Sequence, residues 1–366
     1  MAVLKEIKRR HPRAEIRFWC DYSFYAQAKA TAHSFDEALR VDRIVAGKLR
    51  RYNQMSVFKQ LTTPSIVLAN FRDSFLVGAG VVQSLCKLLV WRPDVVFTKG
   101  GFVCLPVGFA AHLLRIPLVI HDSDAHPGLT NRILSKWASK IATGAPLEHY
   151  SYDPKKASYI GIPINQAFKP VSPKDQAVLK QKWNLDPEAP LIVVTGGGLG
   201  AVRINNAVVR VLDDLLRLGS VVLVSGATQY DELKQKLPQS DARFQIHPFV
   251  TDMATLLGAA DVVVTRAGAT TILELAALAK PTILIPNAHL TGGHQLKNAA
   301  VYTAKDAVLV LKEEELESEP SLLVETVNRV LSDPKTSELR AKRFQGFSRP
   351  NAAADMATLI LDARKL

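Results

Sequence analysis

The sequence predicts an α/β protein of two doubly wound, parallel-sheet domains, and three observations carry that prediction. Short apolar runs alternate with helix-like segments over almost all of the 366 residues. The runs are too uniformly apolar for sheets with one wet face, so crossover helices must cover both faces. Several runs end in glycine or polar turns that lead directly into a helix, as parallel strand–helix units do. At roughly 150 residues per domain, the length suggests about two domains.

The elements follow in order. "MAVLKEIKRRHP" is an amphipathic helix pattern that runs into the strand "AEIRFWC". A doubly wound domain ordinarily opens with a strand and a glycine-rich turn. This opening therefore predicts either a variant domain or a chain that begins inside its own fold. "SFLVGAGVVQSLCKLLVW", residues 74–91, is the most apolar long stretch, interrupted by Gln83, Ser84 and Lys87. It reads as a mostly buried helix, with an interfacial helix as the sharper alternative and a spanning helix disfavoured. "PDVVFTKGG" and "IPLVIHDSDA" are strands, and "LTNRILSKWASKIA" is a helix. After the Pro- and Lys-rich seam at residues 161–190, the strands "APLIVVTGGGLGA", "GSVVLVSGA", "FQIHPFV", "ADVVVTRAGA" and "KPTILIPNA" continue the series. "RINNAVVRVLDDLLRLG" and "ATTILELAALAK" are helices among them. The expected organisation is a first Rossmann-like domain at 1–164, a linker at 165–174 and a second Rossmann-like domain at 175–345. A final helix at 346–366 is placed to pack back on the first domain.

Composition bounds the function. Hydrophobic residues make up 48% and charged residues 22%, which fits a soluble protein with a substantial core. The formal charge of +12 implies anionic partners: nucleic acid, a membrane surface or phosphorylated substrates. Cys20, Cys86 and Cys104 form no C-x-x-C pair, which argues against a zinc site or a disulfide framework and fits a reducing cytoplasm. The N-terminus has no signal-peptide pattern. Nucleic-acid binding would explain the charge but none of the glycine turns, and is not expected.

Five stretches could carry chemistry. "TGGGLGAVRINNA" sets Gly196, Gly197, Gly198 and Gly200 between a strand and a helix. Glycines there let the backbone approach a ligand, and the helix start offers N–H groups to phosphate. The spacing is neither a P-loop nor a strict G-x-G-x-x-G, so an unliganded tight turn is its plain alternative. "TRAGATTILE" repeats the arrangement: Arg266 closes the strand, Gly268, Ala269, Thr270 and Thr271 turn, and Glu274 is read into the first helical turn. A carboxylate there either complements the helix dipole, worth about 0.3–1 kcal/mol, or accepts from ribose hydroxyls beside a phosphate seated on the turn. Two such turns in one domain suit a diphosphate. "PNAHLTGGHQLKNA" puts His294, Gln295 and Asn298 at a helix start, where polar side chains cap the helix or read sugar hydroxyls. In the first half, "KGGFVCLP" holds Gly100 and Gly101, and "HDSDAHPGLTNR" holds Asp122, Asp124, His126 and Asn131. Asp122, Asp124 and His126 are candidate bases for deprotonating a hydroxyl. The D-x-D of Asp122 and Asp124 could also attract a divalent cation, but no metal is expected, because helix starts in the second half already face a diphosphate.

Taken together, "KGGFVCLPVGFAA", "IPLVIHDSDAHPGLTNRILSKWASKIA", "VTGGGLGAVRINNAV", "DMATLLGAADVVVTRAGATTILELAALAKPTILIP" and "GGHQLKNA" resemble the MurG family. These are UDP-N-acetylglucosamine–N-acetylmuramyl-(pentapeptide) pyrophosphoryl-undecaprenol N-acetylglucosamine transferases. The resemblance covers most of residues 95–300. It implies a GT-B fold, two Rossmann-like doubly wound parallel-sheet domains with an interdomain cleft. It also implies inverting transfer of N-acetylglucosamine from UDP-N-acetylglucosamine to lipid I, forming lipid II, with no tightly bound cofactor. The implied partners are the undecaprenyl-linked acceptor and an anionic membrane surface, met peripherally at its cytoplasmic face.

By position, the resemblance gives Glu274 to the donor ribose, and Ala269, Thr270 and Thr271 to the diphosphate. His294 and Gln295 fall to the sugar, Phe249 and Val250 to uracil, and Gly197 and Gly198 to the first glycine turn. Arg266 and Asn298 join the donor set. Asp124 falls beside the reaction centre, and Gly100, Gly101, Asn131 and Asn165 on the acceptor or sugar side. The sequence departs from the family at His294, at Gly198, at Asn165 and in "HDSD", residues 121–124. The family's opening strand and glycine turn have no counterpart ahead of "MAVLKEIK", so the chain is expected to begin downstream of a natural start. Two other readings share the architecture: a UDP-N-acetylglucosamine 2-epimerase-like enzyme and a catalytically impaired UDP-sugar-binding protein.

Overall fold

The structure is a computed structural model that describes residues 1–48, 62–197, 201–237, 241–289 and 291–364. It divides into two compact units, residues 1–163 with 351–366, and residues 164–350.

The first unit runs α1 (Ala2–Arg10), β1 (Arg17–Cys20), α2 (Tyr25–His33), β2 (Arg40–Arg43), α3 (Pro64–Trp91), β3 (Val96–Thr98), α4 (Cys104–Leu113), β4 (Leu118–Asp122), α5 (Leu129–Leu134), β5 (Lys140–Thr143) and β6 (Ala157–Tyr159). Every strand pair is parallel. The strands form two sheets, β1-β2 and β3-β4-β5-β6. β1 and β3 are thus both sheet edges, and a cavity of about 1250 Å³ is lined by Phe18 and Trp19 of β1, Val96 and Phe97 of β3, and Leu4 and Ile7 of α1.

Two expectations fail in this unit. The helix expected through residue 142 stops at Leu134, and "KIAT" instead pairs parallel with β4, burying Ile141 and Ala142. A sheet position on both-faces-covered ground outweighs helical propensity there. The apolar stretch expected to be mostly buried lies in a 28-residue helix, α3, with only 17% of its most apolar window buried. By length and composition α3 could cross a membrane. It exposes Leu68, Phe71, Phe75, Val82, Leu89 and Val90.

The second unit runs α6 (Pro173–Lys182), β7 (Leu191–Thr195), α7 (Val202–Leu218), β8 (Ser220–Val224), α8 (Ala227–Lys236), β9 (Phe244–His247), α9 (Met253–Ala259), β10 (Val262–Thr265), α10 (Ala269–Leu278), β11 (Thr282–Leu284), α11 (His294–Thr303), β12 (Leu309–Val310), α12 (Glu313–Ser318), α13 (Ser321–Ser332) and α14 (Pro334–Gln345). Ser172 caps α6 by accepting from Asp175 N at 3.2 Å, and Pro173 fills the first helical position, which needs no N–H. α7 buries Ile204, Val208, Leu212 and Leu215, one stripe at three- and four-residue spacing, against the apolar strands. The all-parallel sheet has the order β12-β11-β10-β7-β8-β9. Strand order therefore reverses between β7 and β10, whose last residues, Thr195 and Thr265, are paired. Ligands of doubly wound sheets bind beyond the strand ends at such a reversal.

The chain closes with α15 (Ala352–Ala363), which belongs to the first unit. Ala352, Met356 and Ile360 pack with Ile7 of α1, and Arg10 donates to Thr358 Oγ1 at 2.7 Å and Ala354 O at 3.0 Å.

Candidate functional site

In the second unit, the paired ends of β7 and β10 release two turns from adjacent points. Gly197 has φ +78°, a region that favours glycine, and a Cβ there would meet no heavy atom of the described residues within 4 Å. Gly198 lies outside the described residues.

The second turn ends at Gly268, the N-cap of α10, which has no side chain to cap the helix. The first-turn N–H groups of Ala269, Thr270 and Thr271 have no intrahelical acceptor and carry the positive end of the helix dipole. Glu274 is the sixth residue of α10, not a first-turn residue, because Ala269, Thr270 and Thr271, read as part of the turn, already form the first helical residues. Dipole compensation is weak that far in. The carboxyl is half-buried, and burial pushes its pKa up to about 7. A group held this way gains from hydroxyl donors that stabilise its charged form.

Other predicted donor residues divide by where their polar atoms go. Arg266 is buried, and its guanidinium pairs with Glu313 and donates to Ile285 O at 3.1 Å. Asn298 is buried and donates to Ala267 O at 3.1 Å, tying α11 to the turn before α10. Gln295 Oε1 accepts from Asn287 N at 2.8 Å, which closes the loop ahead of α11. A Cβ on Gly292 would stand 2.6 Å from His294 Nε2, so the ring folds back over that glycine. Past the end of β9, Phe249 is exposed and Val250 is buried, so Val250 offers only backbone to a base. Glu313 was not singled out from the sequence. "KEEELES" reads as a solvated acidic helix, and no spacing signal marks one glutamate as interior.

In the first unit, the ends of β3 and β4 converge. Gly100 has φ +81°, and a Cβ there would meet Asn131 Nδ2 at 2.6 Å. Asn131 in turn donates to His121 O at 3.0 Å. Gly100 and Asn131 are therefore brought together, while Gly101 faces open space. His121 is buried, with Nε2 3.0 Å from Gly161 O, and burial, then the nearby Lys99 charge, lowers it to about 3. It is neutral at pH 7 and donates to that carbonyl.

Asp122 is buried, accepts from the Tyr152 hydroxyl, and is 3.5 Å from Gly128 N. Burial raises its pKa, against the pull of those donors. The hydroxyl of Tyr150 donates to Asp124 O at 2.6 Å, which fixes the backbone of the same loop. Asp124 and His126 are half-buried and reach the surface. Asn165 belongs to the second unit, is exposed, and caps its own turn by accepting from Ala167 N at 3.0 Å. Among the described residues, no three His, Cys, Asp or Glu side chains form a set that could hold a metal ion.

A doubly wound second unit with two helix-opening turns at its strand reversal has the architecture of a nucleotide-binding domain. The N-terminal and C-terminal domain models of glycosyltransferase family 28 match residues 1–143 and 191–356. The UDP-N-acetylglucosamine–N-acetylmuramyl-(pentapeptide) pyrophosphoryl-undecaprenol N-acetylglucosamine transferase of Exiguobacterium sp. is 32% identical over 362 residues, 98% of this chain and 94% of the relative. The protein of the same name from Bacillus subtilis is 30% identical over 370 residues, 100% of this chain and 95% of the relative. The crystal structure of Acinetobacter baumannii MurG superposes with a TM-score of 0.74 at 21% identity, covering 99% of this chain and 94% of that one. The chain belongs to the MurG family.

Proposed function

We propose that the protein transfers N-acetylglucosamine from UDP-N-acetylglucosamine to the undecaprenyl-linked muramyl-pentapeptide acceptor, lipid I, forming lipid II for peptidoglycan. The observation that carries this reading is the pair of turns leaving the strand reversal, with Glu274 in the helix that the second turn opens, in a chain matched over 98% of its length by a relative of that name.

The donor diphosphate sits on the N–H groups of α10 and on the turn at Gly197. These groups stabilise the charge that builds on the leaving UDP as the glycosidic bond breaks. Glu274 accepts from the ribose hydroxyls. Phe249 and the backbone at Val250 face the uracil. His294 and Gln295 face the sugar. The acceptor hydroxyl attacks the anomeric carbon opposite UDP, through an oxocarbenium-like transition state, with inversion. Asp124 and His126 are the candidate bases. The buried and hydrogen-bonded Asp122 instead organises their loop. No metal is needed where helix termini supply the positive field.

The apolar face of α3 and the basic N-terminal segment meet an anionic membrane surface peripherally, on its cytoplasmic side, each basic residue near the surface adding about 1 kcal/mol. Of the basic stretch "GKLRRY", residues 49–52 lie outside the described residues.

Calorimetric titration tests the donor site. UDP-N-acetylglucosamine should bind, UDP-glucose should bind more weakly, and Glu274→Ala should weaken both. A folded chain that binds neither sugar nucleotide would sink the reading.

A further inference from the structure

The donor-side loops share an anchor that lies in none of them. Glu313 opens α12, and its side chain is 1% exposed. Its Oε1 pairs closely with Arg266 Nη2, and its Oε2 is 3.0 Å from Arg203 Nη1. Arg266 Nη1 also donates to Ile285 O at 3.1 Å.

Each partner opens onto a different loop. Arg203 is the second residue of α7, the helix entered from the first glycine turn. Arg266 follows β10 and begins the turn into α10. Ile285 follows β11 and begins the loop that ends at His294 and Gln295. One buried carboxylate therefore gathers all three segments.

A buried ion cluster is a poor way to gain stability alone, because each charge loses its hydration and an apolar substitute often serves as well. It does impose direction. The planar Arg266 fork spans the Glu313 carboxylate and the Ile285 carbonyl, which fixes the guanidinium in angle as well as distance. With both arginines bound to one carboxylate, neither turn can shift without breaking a charge-assisted bond.

We propose that Glu313 is a positioning residue for the donor site, setting the two phosphate-facing turns and the sugar-facing loop in register through Arg203 and Arg266. The inference rests on the donor-site reading above. Glu313 touches no substrate. It shapes a surface that serves bound donor and transition state alike, so its loss acts on KM and leaves kcat nearly unchanged.

The test uses the full chain, UDP-N-acetylglucosamine calorimetry and lipid I-dependent UDP release. Glu313→Gln keeps the volume and removes the charge. It should raise Kd and KM by about tenfold while kcat stays within about twofold. Glu313→Asp should recover part of the loss. Arg203→Met, which removes the more exposed partner, should raise Kd by about threefold.

Unchanged Kd in folded Glu313→Gln overturns the proposal, as does a loss confined to kcat. If Glu313→Gln does not fold, Arg203→Met decides alone, and unchanged Kd there overturns it. A folded wild-type chain that fails to bind the donor overturns the donor-site reading and this inference with it. That failure is told apart because it needs no variant.

Discussion

Glu274 offers the sharpest perturbation: on the proposed reading its carboxyl must be ionised to accept from two ribose hydroxyls, yet burial holds it near pKa 7. If the proton must leave before the ribose binds, affinity follows the ionised fraction. That fraction is about 90% at pH 8.0 and about 3% at pH 5.5, so Kd for UDP-N-acetylglucosamine should rise about 30-fold between them. Glu274→Gln keeps the shape and removes the charge. Its affinity at pH 8.0 should fall by roughly 10- to 150-fold, the worth of a charged hydrogen bond at about 1.5–3 kcal/mol. Its pH slope should vanish.

Stability moves the other way. The folded-state pKa lies above the unfolded value of 4.5, so folding takes up a proton between those values. Unliganded stability from this group is fully present below pH 4.5 and is lost as pH rises through about 7. Unliganded Glu274→Gln should therefore be more stable than wild type at pH 8, by on the order of 1–2 kcal/mol once partial solvent screening is allowed for. Calorimetry across pH reads the affinity, and urea denaturation reads the stability. The intact sugar nucleotide is the right ligand, since UDP itself has a terminal phosphate that titrates in this range. A flat wild-type profile, or a Glu274→Gln variant that keeps the slope, would refute the reasoning.

Further outcomes follow from the same geometry. Gly197→Ala forces a Cβ into a left-handed backbone at a cost of about 1–2 kcal/mol, with no steric clash to add. It should lower the urea midpoint modestly and weaken donor binding. Tyr152→Phe leaves the buried Asp122 carboxyl without its hydroxyl donor, at a cost of about 1–3 kcal/mol. The loss should grow as pH rises, because burial keeps the Asp122 carboxyl protonated to higher pH than an ordinary aspartate. Phe71→Asp with Phe75→Asp should reduce co-sedimentation with anionic vesicles, because these exposed rings pack edge to face on α3. Binding unchanged by both substitutions would refute membrane contact there.

Much of the second unit was legible because its strands are continuous apolar runs buried on both faces and each ends in a glycine or polar turn. "LIVVT", "SVVLV" and "VVVT" are fully buried strands, and Thr195 and Thr265 stand where the turns depart. The first unit was harder. β5 reads as the tail of a helix until its pairing with β4 is known. β2, "RVDR", has no fully buried residue and no apolar run. In the second unit, β12 escaped notice because it is only two residues long. α3 was misjudged because apolar composition does not say whether a partner covers it.

Within the site, residue types announced the turns but not the direction of their side chains. Arg266 and Asn298 carry groups suited to a nucleotide sugar, yet both bond to protein. The glutamate that gathers Arg203 and Arg266 comes from a helix too acidic to single one out. Such a link joins residues 110 positions apart, and no local pattern encodes it.

Transfer itself is tested most directly by incubating the purified chain with UDP-N-acetylglucosamine labelled in the sugar and with lipid I in anionic vesicles. The predicted result is label in the lipid fraction as a disaccharide, one UDP released per sugar transferred, and no turnover when lipid I is omitted. Donor binding followed by epimerised UDP-sugar without lipid I, or by no change in either substrate, would contradict a transferase.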